Sequence, residues 1–177
     1  GPVRMLVPEA YGFKSVKWLQ RVKLVDKPYL TPSERFQGQF GAKSVITRPS
    51  GGQQLPGRGF YTITGLAWSG GGRITKVEVS TDGGGNWRDA EIVSTALPMA
   101  HTMFAYGWEW NGREALIMSR CTDETGQVQQ TIAEYARSQN VSSDRVLSGD
   151  VEPSGQWPFV FPWRVAADGS VSHALWS

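Results

Sequence analysis

From residue 59 onward the sequence alternates between apolar and polar positions in short runs, each closed by a glycine- or asparagine-rich turn. A period of two puts successive side chains on opposite faces of a strand, so this pattern restricts the chain to half-buried β-structure. Over residues 60–68, Tyr61 and Ile63 fall on one face and Leu66 and Trp68 on the other. After the turn Gly70-Gly71-Gly72, residues 74–80 point Val77 and Val79 one way and Lys76, Glu78 and Ser80 the other. Asp82-Gly83-Gly84-Gly85-Asn86 is a strong hairpin signal, with a single return strand expected over 87–93. Residues 102–110 line up Phe104, Tyr106, Trp108 and Trp110, and Asn111-Gly112 turns the chain into a strand over 114–122. Short strands with turns at this frequency predict a mainly β fold, an antiparallel β-sandwich.

The remaining segments are less regular. Residues 1–28 hold two strand-like runs, 3–7 and 16–25. Two strands alone are marginal in water, so this segment needs a partner surface. Residues 29–43, rich in Pro, Ser, Gln and Gly, read as a linker, followed by a short run over 44–48 and a polar loop over 49–54. Residues 127–139 are compatible with a short helix, 140–156 read as a polar surface loop, and 159–166 as the last strand. This divides the chain into 1–28, 29–43 and 44–177.

A net charge of +2, with Lys and Arg scattered, gives no basis for a nucleic-acid partner. No run approaches the roughly 18 apolar residues of a membrane span. The single cysteine, Cys121, excludes a disulfide within the chain. His101 and His173 are isolated in sequence, and no nucleophile elbow, P-loop or dinucleotide fingerprint is present, so the residues nominate no catalytic group and no metal ligand. Ser80-Thr81-Asp82-Gly83-Gly84-Gly85-Asn86-Trp87 matches the Asp-box pattern of propeller hairpins, but a propeller repeats its box and this chain has one. The stripe from Phe104 to Trp110 is either a packed face or a platform for sugar rings. A stand-alone sandwich that binds carbohydrate or protein is therefore one reading of the chain.

A second reading comes from Gly1-Pro2-Val3-Arg4-Met5-Leu6-Val7-Pro8, followed after a glycine by Ser15-Val16-Lys17-Trp18-Leu19. This pair of motifs resembles the end of the molybdopterin domain in the sulfite oxidase family. Gly59-Phe60-Tyr61-Thr62-Ile63-Thr64-Gly65 is similar to the opening of that family's dimerisation domain, and residues 74–87 to its central hairpin. Asp123-Glu124-Thr125-Gly126-Gln127-Val128-Gln129 and Trp163-Arg164-Val165 resemble its later motifs, in the same order. Gln130 departs from the proline usual there. The wording around Lys43-Ser44-Val45-Ile46-Thr47-Arg48 is most similar to bacterial sulfane or sulfite dehydrogenases.

The resemblance implies an immunoglobulin-like dimerisation sandwich over 44–177, and in 1–28 the tail of a molybdopterin-binding domain. It implies a periplasmic parent enzyme that oxidises reduced sulfur compounds, pairs as a homodimer and passes electrons to a c-type cytochrome. The thiolate that ligates molybdenum is expected upstream of Gly1, so this chain alone is not expected to be catalytic. Toward the molybdopterin it is expected to offer Arg4, Ser15 and Lys17, with Lys14 and Arg21 left as solvated surface and Trp18 as a packing residue.

Overall fold

The computed structural model describes residues 3–6, 15–26, 40–148 and 159–175. The alternating segments become a two-sheet sandwich. Strands β1 (Lys43–Arg48), β2 (Gly59–Trp68), β5 (Glu91–Ile92) and β6 (Thr102–Trp110) make one sheet, ordered β1-β2-β6-β5. Strands β3 (Ile74–Ser80), β4 (Arg88–Asp89), β7 (Ala115–Asp123), β8 (Trp163–Val165) and β9 (Val171–His173) make the other, ordered β4-β3-β7-β8-β9. Neighbouring strands run antiparallel throughout.

The core lies where the alternation puts it. Ile63 and Ala67 of β2 face Val77 and Val79 of β3 and Ile117 and Cys121 of β7. The aromatic stripe of β6 points into this core: Phe104 is 1%, Trp108 7% and Trp110 2% exposed. Each such side chain contributes roughly 1.5–3 kcal/mol by leaving water. Trp110 keeps its polar handle satisfied by donating Nε1–H to the Arg113 carbonyl at 2.7 Å. Buried rings cannot stack on a sugar, so the carbohydrate-platform reading of this stripe is overturned.

Three further expectations change. The return strand over 87–93 is not single. It divides at Ala90, so that β4 pairs with β3 in one sheet and β5 with β6 in the other. Ala90 still donates to Val77 at 2.9 Å, and its small side chain packs against the core as the chain crosses. The C-terminal strand stops at Val165 and is followed by β9, which the sequence reading did not contain. Between them Gly169 takes φ 86°, and Asp168 accepts from the Ser170 N–H at 2.9 Å. Finally, the stretch read as a surface loop over 140–156 contains helix α2 (Ser143–Leu147). Its Val146 is fully buried beside Phe159 and Ala136, the latter from α1 (Ile132–Ser138). Helix α1 falls inside the helix expected over 127–139, and Thr131 and Glu134 close its N-terminus as a capping box.

Buried polar groups join these parts. Gln129 Oε1 accepts from the backbone N–H and hydroxyl of Ser44 in β1, both at 2.8 Å, and its Nε2 donates to the Phe159 carbonyl at 3.0 Å. Ser44 also bonds Ser119 of β7 at 2.9 Å. The Asp-box-like turn is a hairpin device. Asp82 Oδ1 accepts from the Asn86 N–H at 2.9 Å and from the Ser80 hydroxyl at 2.7 Å, and Asn86 Nδ2 donates to Oδ2 at 2.7 Å. Those donors, Asn86 foremost, hold the Asp82 carboxyl at about 2.

Candidate functional site

Segments 3–6 and 15–19 run side by side. Met5 donates its N–H to Val16 at 3.1 Å and Leu19 donates to Val3 at 2.9 Å. Arg4 lies between the bonded residues on one segment and Lys17 on the other, so backbone pairing puts the two residues on neighbouring segments. The described residues here carry no assigned strand, against the expectation over 3–7 and 16–25. Trp18 has φ 58°, which breaks the extended path between the two bonds, and its ring is 70% exposed rather than packed beneath the loop.

Arg4 and Lys17 are both exposed, and among the described residues neither has a carboxylate partner. Ser15 is half-buried. Two exposed cations with no carboxylate partner among the described residues fit an anionic group such as a pterin phosphate, since fixed Arg and Lys donors give charge-assisted bonds to phosphate oxygens. Arg21 is exposed, as expected, and Lys14 lies outside the described residues.

The histidines and the cysteine are placed elsewhere. His101 packs edge-on to Trp68 at 5.2 Å between centroids, and His173 packs edge-on to Trp163 at 5.3 Å. Cys121 is 1% exposed in β7, and burial, helped by the nearby Asp123 charge, pushes its thiol up to about 12. Such a thiol stays protonated and inert. Among the described residues no group of three or more His, Cys, Asp or Glu gathers as a metal site.

The two outer faces of the sandwich differ in a way the sequence reading missed. Outside β3 and β7, Glu78 sits between Arg120 at 2.8 Å and Lys76 at 2.9 Å, and Lys76 reaches on to Asp89 at 3.1 Å. The Arg120 guanidinium also covers the Trp87 ring at 4.3 Å. Outside β2 and β6 the pairs are Thr62 with Gly107, Thr64 with Ala105, and Leu66 with Met103. Charges appear there only at the margins, at Lys43, Arg48, Glu91 and Glu109. The signal was available: the central solvent-side positions of β2 and β6 carry no charge, unlike those of β3 and β7.

Comparison with known proteins assigns this architecture. The Mo-co oxidoreductase dimerisation domain matches residues 34–142, and the oxidoreductase molybdopterin binding domain matches residues 1–33. The chain belongs to the sulfite oxidase family. It is 31% identical to sulfite oxidase of Gallus gallus over 157 residues, 72% of this chain and 34% of that protein. It is 32% identical to nitrate reductase [NADH] 1 of Zea mays over 141 residues, 62% of this chain and 22% of that protein. Among solved structures it is similar to the sulfane dehydrogenase SoxCD from Paracoccus pantotrophus, with TM-score 0.79 and 37% identity over 96% of this chain and 45% of that one. The chain thus spans about a third or less of the curated sulfite oxidases and nitrate reductases it matches. The family's cofactor is molybdopterin, and the Arg4–Lys17 pair falls within the part matched to the molybdopterin-binding domain.

Proposed function

We propose that this chain is the C-terminal part of a molybdopterin-dependent sulfane or sulfite dehydrogenase. The observation that carries this reading is the likeness to a sulfane dehydrogenase along 96% of the chain, at 37% identity. In it the sandwich pairs two subunits, and residues 1–28 contribute Arg4, Ser15 and Lys17 to the wall that holds the cofactor. When bound, the molybdenum centre supplies two-electron oxidation of the sulfur substrate. The residues of this chain bind and orient the anionic part of the cofactor. Electrons leave to a c-type cytochrome, and the enzyme works in the periplasm.

Nitrate reductases are among the relatives, so the deciding experiment sets the two chemistries against each other. Full-length enzyme, loaded with molybdenum, is assayed with sulfite, with a protein-bound sulfane and with nitrate. Reduction of cytochrome c by either sulfur substrate is expected, with no turnover of nitrate by a reduced dye. Nitrate turnover without oxidation of either sulfur compound overturns the reading. Fractionation of the native host should place the enzyme in the periplasm.

A further inference from the structure

Two of the four methionines are exposed, and packing explains neither. Met99 is 48% and Met103 52% exposed. Met99 also holds φ 55°, in a turn where its N–H donates to the Gly72 carbonyl at 3.4 Å. A non-glycine residue is strained there, and an exposed side chain gains little burial in return. Between the two stands His101, so the run Met99-Ala100-His101-Thr102-Met103 carries a sulfur or nitrogen donor at every second residue.

The fold gathers these donors. Thr102 is fully buried, so its exposed neighbours His101 and Met103 share the outer side of the sheet, about 6.8 Å apart along the chain. Met99 and His101 line one cavity of about 140 Å³ together with Trp68. A methionine stem has three rotatable bonds and can close gaps of this size around one ion. His101 meets Trp68 edge-on, and among the described residues its ring nitrogens have no hydrogen-bond partner, which leaves a nitrogen available as a ligand. Counting only His, Cys, Asp and Glu passes over this group, because two of its three donors are thioethers.

The donor chemistry selects the ion. The cavity lining holds no carboxylate and no thiol, so it lacks the oxygens that calcium and magnesium need and the thiolates common at zinc. Thioether sulfur with one imidazole is a soft donor set, the kind that selects Cu(I). The Lys43 ammonium stands 5.9 Å from the centre of the Trp68 ring, and its charge repels a divalent ion more strongly than a monovalent one. We propose that Met99, His101 and Met103 bind a single Cu(I) ion. The copper arrives already reduced, so binding transfers no electron and breaks no covalent bond.

The whole chain is titrated without oxygen with Cu(I) against a chromophoric Cu(I) chelator, and with Zn(II) alongside. Uptake of one Cu(I) per chain is expected, with Zn(II) held far more weakly. Met99→Leu, His101→Gln and Met103→Leu should each weaken Cu(I) binding roughly tenfold or more, since even the groups behind a metal ligand are worth that much. Substitutions in the core, Met118→Leu and Cys121→Ala, should leave it unchanged. Methionine labelled with carbon-13 in its methyl group gives a measurement on the parent alone. Cu(I) should shift the resonances of Met99 and Met103 and leave those of Met5 and Met118 in place. Cu(I) left wholly with the chelator, uptake that survives all three site substitutions, or uptake abolished only by Cys121→Ala overturns the site. Zn(II) bound as tightly as Cu(I) overturns the choice of ion.

Discussion

Replacing Arg4 or Lys17 by alanine in the full-length protein removes one of two exposed cations that have no carboxylate partner among the described residues. A charge-assisted hydrogen bond is worth roughly 1.5–3 kcal/mol, which corresponds to a ten- to hundredfold loss in cofactor affinity. Each variant should purify with less molybdenum at an unchanged melting temperature of the sandwich, while exposed Arg21→Ala serves as a control that keeps its metal. Full molybdenum content in both alanine variants would show the pair to be ordinary surface. Asp82 offers a second test. Its carboxyl is held at about 2, below the ordinary 3.8, so the charged form is favoured by folding. The stability this contributes is complete above the unfolded value and is lost as pH falls through the folded one. Asp82→Asn should therefore show a shallower fall of thermal midpoint between about pH 5 and 2 than the parent. Parallel curves for the two proteins would contradict the sign.

At the scale of elements, the sequence was legible wherever period two ran for six residues or more. Strands β2, β3, β6 and β7 were read within a residue of their observed bounds, and the side chains of β2, β3 and β6 were sorted onto the right faces, because alternation and turn chemistry agree there. The misses have local causes. Helix α2 buries Val146 in an otherwise polar stretch, too little apolar signal for a helix of five residues. Strand β9 has three residues, and β4 and β5 two each, below the length at which alternation can be seen. Gln129 was quoted only as part of a motif, yet it ties β1 to the carbonyl of Phe159 and so to the small core beneath the helices. Gln129→Ala leaves buried backbone groups without a side-chain partner, at a cost of about 1–3 kcal/mol. Hydrogen exchange should then quicken in α1 and α2 while the amides of β2 and β6 keep their protection. Uniform quickening across both regions would mean that the tie is not local.

For the whole molecule, Cys121 reports whether the sandwich opens as one unit. Its thiol lies in the core and is held in the unreactive form, so a thiol reagent should reach it only when the two sheets part. Labelling should rise with denaturant in step with the loss of far-UV signal, and rapid labelling of the native chain would refute a closed core. The architecture as a whole was legible in the strand pattern, but the candidate site was not. Arg4 and Lys17 emerge from resemblance alone, because two cations in a short irregular segment carry no periodic signature. The neutral face of β2 and β6 is marked in the sequence only by the lack of charge at alternate positions, a weaker signal than the stripe of rings on the same strand.

The sheet borders carry a consequence for how copies of this chain can associate. Among the described residues, of the four bordering strands, β4, β5 and β9 are only two or three residues long, and β1 alone reaches six. A long bare border offers an unpaired row of amides and carbonyls to which another molecule can add a strand, and each addition leaves a new border behind it, so growth has no end. Borders this short give such growth almost no foothold. Contact across a broad face, by contrast, is used up once two molecules meet. Short borders therefore work against open-ended strand addition, and fibre formation should require the sandwich to come apart first.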